Sequence, residues 1–268
     1  MTALHPSRQP VEPDPAGRLE AGDANSVLGK VQRILEAFGP EDEALSLSEL
    51  SRRSSLAKAS VHRLAQELVR WGLLERRNGD YRLGMRLFEI GQRVPRQRIL
   101  RDLARPFMED LFQATNETVH LAVLDGLEVL YLEKVSGHGQ VTRPSRVAGR
   151  MPLHCTATGK ALLAFGPAAL LDEVVAAPLA RVTPRTVASP RLLAQELERV
   201  RECGYAAEFE QTRLGFMSVA VPLRGATGVT VAALSITAPS PRGGVERFAG
   251  LLTMVGRRVT RLLSVQDV

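Results

Sequence analysis

The sequence predicts an α+β protein in two parts: an N-terminal winged helix-turn-helix, then a domain around a central, largely antiparallel sheet. Three observations predict it. Helical periodicity over residues 27–71 is followed at once by a hairpin signal, Asn78-Gly79. From residue 118 onward, β-rich runs interleave with helical ones. The excess of positive charge is confined to the first part.

The elements follow in chain order. Residues 1–23 contain Pro6, Pro10, Pro13 and Pro15 without apolar periodicity, and read as a flexible tail. Val27, Val31, Ile34, Leu35 and Phe38 fall on one face of a first helix, which Gly39-Pro40 stops. Ser46-Leu47-Ser48-Glu49 is a capping box, in which Ser46 and Glu49 reciprocally satisfy free amides at a helix start. Leu47 and Leu50 face inward on that short helix, and Ser54-Ser55-Leu56 breaks it. A third helix runs from about Lys58 to Trp71, with Val61, Leu64, Ala65 and Leu68 as its buried stripe. Asn78-Gly79, whose residues both accept positive φ, turns the following hairpin into a wing. The DNA-binding part thus spans 24–84. Residues 85–105 read as a connector helix, interrupted at Pro95 and bounded by Pro106, and as a candidate dimer contact.

The second part, 106–268, is mixed. Thr118–Leu124 and Val129–Val135 read as strands joined by Asp125-Gly126. Gly159–Phe165 reads as a helix start, and Leu192–Cys203 as a helix ended by Gly204. Met217–Leu223 and Val229–Thr237 read as strands, and Val245–Leu263 as a closing helix.

Composition narrows the function classes. Hydrophobic residues at 44% and charged residues at 24% exclude a wholly disordered or fibrous chain. No apolar run reaches the roughly 20 residues of a membrane span, and the N-terminus has no signal-like apolar stretch. Two cysteines, Cys155 and Cys203, make no disulfide framework, so a cytoplasmic location is expected. Residues 51–86 hold nine basic side chains and three acidic ones, an excess equal to the chain's net charge of +6. Such a local excess is the footprint of a polyanion.

The helix-turn-helix points to double-stranded DNA as that polyanion. Opposite the buried stripe of the third helix lie Ala59, Arg63 and Gln66, with His62 to one side and Lys58 and Ser60 near its start. Early residues of such a helix meet base edges in the major groove. Arg63 suits a bidentate pair with guanine, and Gln66 a pair with adenine or a phosphate contact. Arg76, Arg77 and Arg82 on the wing suit phosphates or the minor groove, giving affinity and salt dependence rather than sequence choice. A two-fold dimer would present two such helices, so a pseudo-palindromic operator is expected.

At this point the sequence resembles the IclR family of bacterial transcription regulators, from about residue 24 to 263. The resemblance is carried by Leu47-Ser48-Glu49-Leu50, Lys58-Ala59-Ser60-Val61-His62-Arg63-Leu64, Tyr81-Arg82-Leu83-Gly84, Leu103-Ala104-Arg105-Pro106 and Glu117-Thr118-Val119-His120-Leu121. It continues in Pro152-Leu153-His154-Cys155-Thr156-Ala157-Thr158-Gly159-Lys160-Ala161, Thr183-Pro184-Arg185-Thr186 and Arg201-Glu202-Cys203-Gly204-Tyr205. It implies a GAF-like C-terminal domain that binds a small effector, and a dimer through the DNA-binding domains, often a tetramer. Two departures stand out: Ser55 replaces the family's usual glycine in the turn, and Ala59 its usual serine on the third helix.

The resemblance also implies a pocket. The matching backbone positions are Ala157 and Thr158, at a helix N-terminus of the kind that binds carboxylates, with apolar Met151 beside them. The far wall resembles Glu208, Phe216, Ser218, Ser235 and Thr237. Ser235 and Thr237 alternate along a strand and so share a face, which Ser218 on a neighbouring strand can join. Many relatives carry an aspartate-rich run where this chain has Ala206-Ala207-Glu208-Phe209-Glu210, so no ligand identity transfers. The effector class implied is a small organic or aromatic acid, and the regulator is expected to be a repressor, without cofactor.

Two other readings stay open. An enzyme fused to a DNA-binding module would use His154 and Cys155, yet no acid–base–nucleophile set accompanies them and no metal-ligand cluster is evident. An architectural DNA binder would have a solid C-terminal core. Thr156-Ala157-Thr158-Gly159-Lys160 lacks the glycine spacing and the following Ser/Thr of a phosphate loop.

Overall fold

The computed structural model describes residues 25–137, 145–240 and 244–266. The tail expected at 1–23 lies outside the described residues. The chain divides between Pro95 and Arg96, inside the stretch read as a linker.

The first unit contains α1 (Val27–Glu36), α2 (Leu47–Ser54), α3 (Lys58–Arg70), the hairpin β1 (Leu74–Arg77) and β2 (Asp80–Leu83), and α4 (Met85–Gly91). Ile34, Leu50, Val61, Leu64, Ala65, Leu68, Leu74 and Tyr81 close one core. Val27, expected on the inner face, is exposed. The capping box forms by half. Ser46 Oγ accepts from the Glu49 amide at 3.2 Å, but the Glu49 carboxylate turns away to Arg52 and Arg53. Ser55 takes the left-handed conformation at φ 54°, doing without a glycine what the turn requires. The wing turns as expected, with Asn78 at φ 55° and Gly79 at φ 92° between the paired Arg77 and Asp80.

The connector is interrupted before Pro95, as expected, and forms two helices, α4 and α5 (Pro95–Thr115), but Pro106 lies inside α5 instead of bounding it. An interior proline costs roughly 3 kcal/mol. Leu100, Met108 and Leu111 are buried on both sides of it, at about 1.5–3 kcal/mol each, so burial outweighs the break.

The second unit is built on six strands in the order β5-β4-β3-β8-β7-β6, every neighbouring pair antiparallel. These are β3 (Thr118–Asp125), β4 (Glu128–Val135), β5 (Arg150–Pro152), β6 (Ala206–Phe209), β7 (Phe216–Arg224) and β8 (Thr230–Pro239). The two-residue period gives the sheet unlike faces. Val119, Leu121, Val219, Val221, Leu234 and Ile236 pack under α5 and α9 (Val245–Val265). The other face carries small or polar residues: His120, Ala122, Ser218, Ala220, Ala233, Ser235 and Thr237. Against it lies α6 (Ala157–Phe165), itself covered by α8 (Pro190–Cys203), while α7 (Ala169–Val175) joins them. Residues 157–164 of α6 are all buried, as a helix enclosed between layers requires.

Candidate functional site

On α3, Lys58, Ala59, Arg63 and Gln66 are exposed, and Ser60 and His62 half-buried. Their contacts are light. Lys58 Nζ donates to Ser48 Oγ at 2.9 Å, Arg63 Nη1 lies 3.2 Å from Glu67 Oε1, and Gln66 Nε2 lies 3.3 Å from His62 Nε2. Exposed pairs of this kind are worth about 0.2–1 kcal/mol, so these side chains are only lightly held. The wing arginines do not form one patch. Cross-strand partners share a face, and Arg76 pairs with the buried Tyr81, its guanidinium 5.6 Å from that ring. Arg77 and Arg82, opposite Asp80 and Glu75, lie on the other face.

In the second unit, all eight residues expected to form a pocket line one cavity: Met151, Ala157, Thr158, Glu208, Phe216, Ser218, Ser235 and Thr237. Counted together with the open solvent at its mouth, the space these residues line is about 530 Å³. Strand register assembles the far wall. Thr118, Thr237, Ser218 and Glu208 form one row across β3, β8, β7 and β6, and His120, Ser235 and Ala220 form the next. Small side chains at Ala122, Ala220 and Ala233 on the same face hold α6 close without filling the hollow.

The near wall is the start of α6, which begins at Ala157 rather than at the expected Gly159. Thr156 caps it. Its Oγ1 accepts from the Gly159 amide at 3.0 Å and donates to Pro152 O at 2.9 Å. Ala157 and Thr158 are therefore the first helical residues, whose N–H groups have no intrahelical acceptor. Gly159 admits no side chain, because a Cβ there would stand 2.2 Å from Leu153 O.

His120, Tyr131, Ser145, Thr156, Thr212 and Arg213, not expected there from the sequence, also line the cavity. His120 alternates in phase with Thr118 and Ala122 along its strand, a signal visible in the sequence; the others depend on tertiary placement. Burial, with Lys134 adding a like charge, pushes the His120 imidazole down to about 3, against a weaker opposing effect from the Ser145 backbone. His120 has only a loose contact with the Ser145 backbone, and Thr158 Oγ1 only one with Tyr131. Burial raises Tyr131 to about 12. His120 and Tyr131 are thus neutral near pH 7.

Glu208 is buried and holds three donors: the Gln211 amide at 2.9 Å, Thr212 Oγ1 at 3.1 Å and Ser218 Oγ at 3.0 Å. Burial raises its pKa, and these hydrogen bonds and Lys160 oppose the rise. Lys160 is fully buried, ion-paired with Glu196 Oε2 at 2.6 Å and donating to Gln211 Oε1 at 3.0 Å.

His154 and Cys155 do not line the cavity. His154 Nε2 lies 2.9 Å from Ala180 O, and burial pushes the Cys155 thiol up to about 12, the reverse of an activated nucleophile. Among the described residues no His/Cys/Asp/Glu cluster suits a metal ion, and no helix is long and apolar enough to cross a membrane.

The family models match in the same two places: the IclR helix-turn-helix domain over residues 27–78 and the bacterial transcriptional regulator IclR C-terminal domain over residues 92–261. The chain belongs to the IclR family. It is 33% identical to the HTH-type transcriptional regulator XynR of Escherichia coli K12, over 88% of this chain and 98% of that protein. It is equally 33% identical to KdgR of the same organism, over 91% and 95%. It is similar to the crystal structure of an IclR homolog complexed with 4-hydroxybenzoate from Microbacterium hydrocarbonoxydans, with 38% identity and a TM-score of 0.84, over 90% of this chain and 100% of that one. The Thermotoga maritima IclR structure matches at 31% identity and a TM-score of 0.74, over 88% and 98%. As an IclR-family member the chain is a DNA-binding transcriptional regulator with an effector-binding domain, GAF-like in its sheet and flanking helices.

Proposed function

We propose that this IclR-family regulator is a cytoplasmic repressor whose hold on its operator is set by a small organic or aromatic acid. Residues 24–84 form the DNA-binding domain, 85–105 the linker, and 106–268 the effector domain. The observation that carries the reading is the hollow in the second unit. The start of α6, whose first amides have no intrahelical acceptor, lines the same hollow as the hydroxyls of Ser218, Ser235 and Thr237, and helix N-termini favour carboxylates. A solid core, as an architectural DNA binder would have, is absent there. The relative that holds 4-hydroxybenzoate carries an acid of this class. The placement of His154 and Cys155 supports sensing rather than catalysis.

On the DNA side, Arg63 reads a base edge, with Lys58, Ala59, Ser60, His62 and Gln66 beside it, while Arg76, Arg77 and Arg82 hold the backbone. The working species is a homodimer, or a tetramer of two dimers. No residue of α4 is buried, and Met85, Phe88 and Ile90 are exposed together with Leu83 and Val94, an apolar surface fit for a second copy. Two α3 helices then meet a pseudo-palindromic operator, whose occupation blocks other proteins. Acid and operator influence each other's affinity reciprocally.

The test selects bound fragments from fragmented genomic DNA with the full chain, then titrates the recovered sequence in a mobility-shift assay with and without small carboxylates. Pseudo-palindromic sites, a midpoint moved by an acid, and loss of selectivity in Arg63→Ala at unchanged circular dichroism are expected. Sites without symmetry, or Arg63→Ala binding with full selectivity, would overturn the DNA assignment. An operator affinity indifferent to every acid would overturn the sensor.

A further inference from the structure

Among the described residues that line the cavity, Glu208 is the only carboxylate and Arg213 the only permanent cation. Glu208 is 1% exposed. Its Oε1 accepts from Thr212 Oγ1 and Ser218 Oγ, while its Oε2 accepts from the Gln211 amide, so Oε2 keeps a lone pair. The positive charges nearby are spent or screened. Lys160, behind Glu208 on α6, is ion-paired with Glu196 of α8. Arg213 is exposed, its guanidinium carbon 4.4 Å from the Phe216 ring centroid, and solvent ions screen it. The other titratable groups around Glu208 are neutral near pH 7. Burial raises Tyr131 on β4 and Cys155 before α6 to about 12, and lowers His120 on β3 to about 3. Ser218, Ser235 and Thr237 add hydroxyls that can donate or accept, but no charge. Burial already raises the Glu208 carboxyl above its ordinary value, against its hydrogen bonds and Lys160.

We propose that an acid entering this cavity as its anion is bound together with one proton, and that Glu208 Oε2 holds that proton. This rests on the acid-sensor reading. The anion and the Glu208 carboxylate are like charges sharing one buried site, and such pairs relieve their repulsion by retaining a proton. The proton comes from the buffer, and no covalent bond of the ligand breaks. Protonating Glu208 removes a buried charge, whereas protonating His120 would add a third, so Glu208 is the group that takes it. The site thus takes up the elements of the undissociated acid from a solution in which the free acid is ionised. Affinity falls as the pH rises, by up to about tenfold per unit, between the pKa of Glu208 in the empty site and its higher value in the filled one. Outside that interval the affinity is flat.

Calorimetric titration of the full chain tests this with benzoate, para-hydroxybenzoate, butyrate and pyruvate, in paired buffers of low and high ionisation heat across roughly pH 6–8. For a probe that binds, the observed heat is expected to change with the buffer's ionisation heat, with a slope that reaches at least about half a proton taken up within that range. Its affinity is expected to fall as the pH rises over the same interval. Glu208→Gln, uncharged at every pH, is expected to abolish the buffer dependence and flatten the profile. His120→Phe removes the other base of the cavity, and proton uptake is expected to persist in it. A smaller wild-type slope, proton release, an uptake that survives Glu208→Gln, or binding to His120→Phe without uptake would overturn the inference and leave the acid sensor standing. The wild-type series decides even where Glu208→Gln fails to fold. Heat from none of the four probes in either buffer would overturn the acid-sensor reading itself.

Discussion

Acid should weaken the second unit, and His120 is the side chain whose share can be isolated. Its folded pKa of about 3 lies below the ordinary 6.5. The folded state therefore binds fewer protons than the unfolded chain once the pH drops below 6.5. The stability it lends is complete above 6.5 and is lost as the pH falls toward 3. One pKa unit corresponds to about 1.36 kcal/mol, so between roughly pH 8 and pH 5 the loss from this ring is about 2 kcal/mol. His120→Phe removes the titration and keeps a flat ring beside Tyr131, 5.0 Å away between centroids. Since both ring nitrogens lack hydrogen bonds of normal geometry, the change should be nearly neutral at high pH. Urea unfolding followed by far-ultraviolet circular dichroism, at several pH values, gives the slope for each protein. The single tryptophan, Trp71, reports the first unit separately by fluorescence. Glu49 in that unit, held down to about 2 by Arg52 and Arg53, titrates below the window used. His154, also lowered by burial, is common to both proteins and cancels in the difference. Parallel stability curves for the two proteins would refute the reasoning.

Two further substitutions test the backbone. Ser55→Gly should stabilise the first unit by up to about 1 kcal/mol, because the left-handed turn at φ 54° strains a side chain and the gain is partly offset by a more flexible unfolded chain. An unchanged or lower melting temperature in Trp71 fluorescence would count against it. Gly159→Ala should destabilise the second unit by about 3 kcal/mol or more, since the added methyl would stand 2.2 Å from Leu153 O and 2.5 Å from Leu153 Cα. Chemical denaturation checks the loss, and wild-type stability would mean that the loop before α6 gives way easily.

The winged helix-turn-helix was legible because its signals are local. Ser46 meets the Glu49 amide three residues on, Asn78-Gly79 turns within two residues, and the stripe of Val61, Leu64, Ala65 and Leu68 repeats within one helix. The main strands of the second unit were legible through alternation, as was the shared face of Ser235 and Thr237. Tertiary structure alone decided the rest. β5 and β6, of three and four residues, exist because longer strands lie beside them to accept their hydrogen bonds. α5 passes through Pro106 because both sides of the break are buried. The row of Thr118, Thr237, Ser218 and Glu208, and with it the polarity of the cavity wall, comes from the register between paired strands, of which β3 and β8 lie far apart in the chain. Periodicity states which way a side chain faces along its own element. Which side chain it meets depends on long-range pairing, whose energy lies in partners that no local stretch of sequence contains.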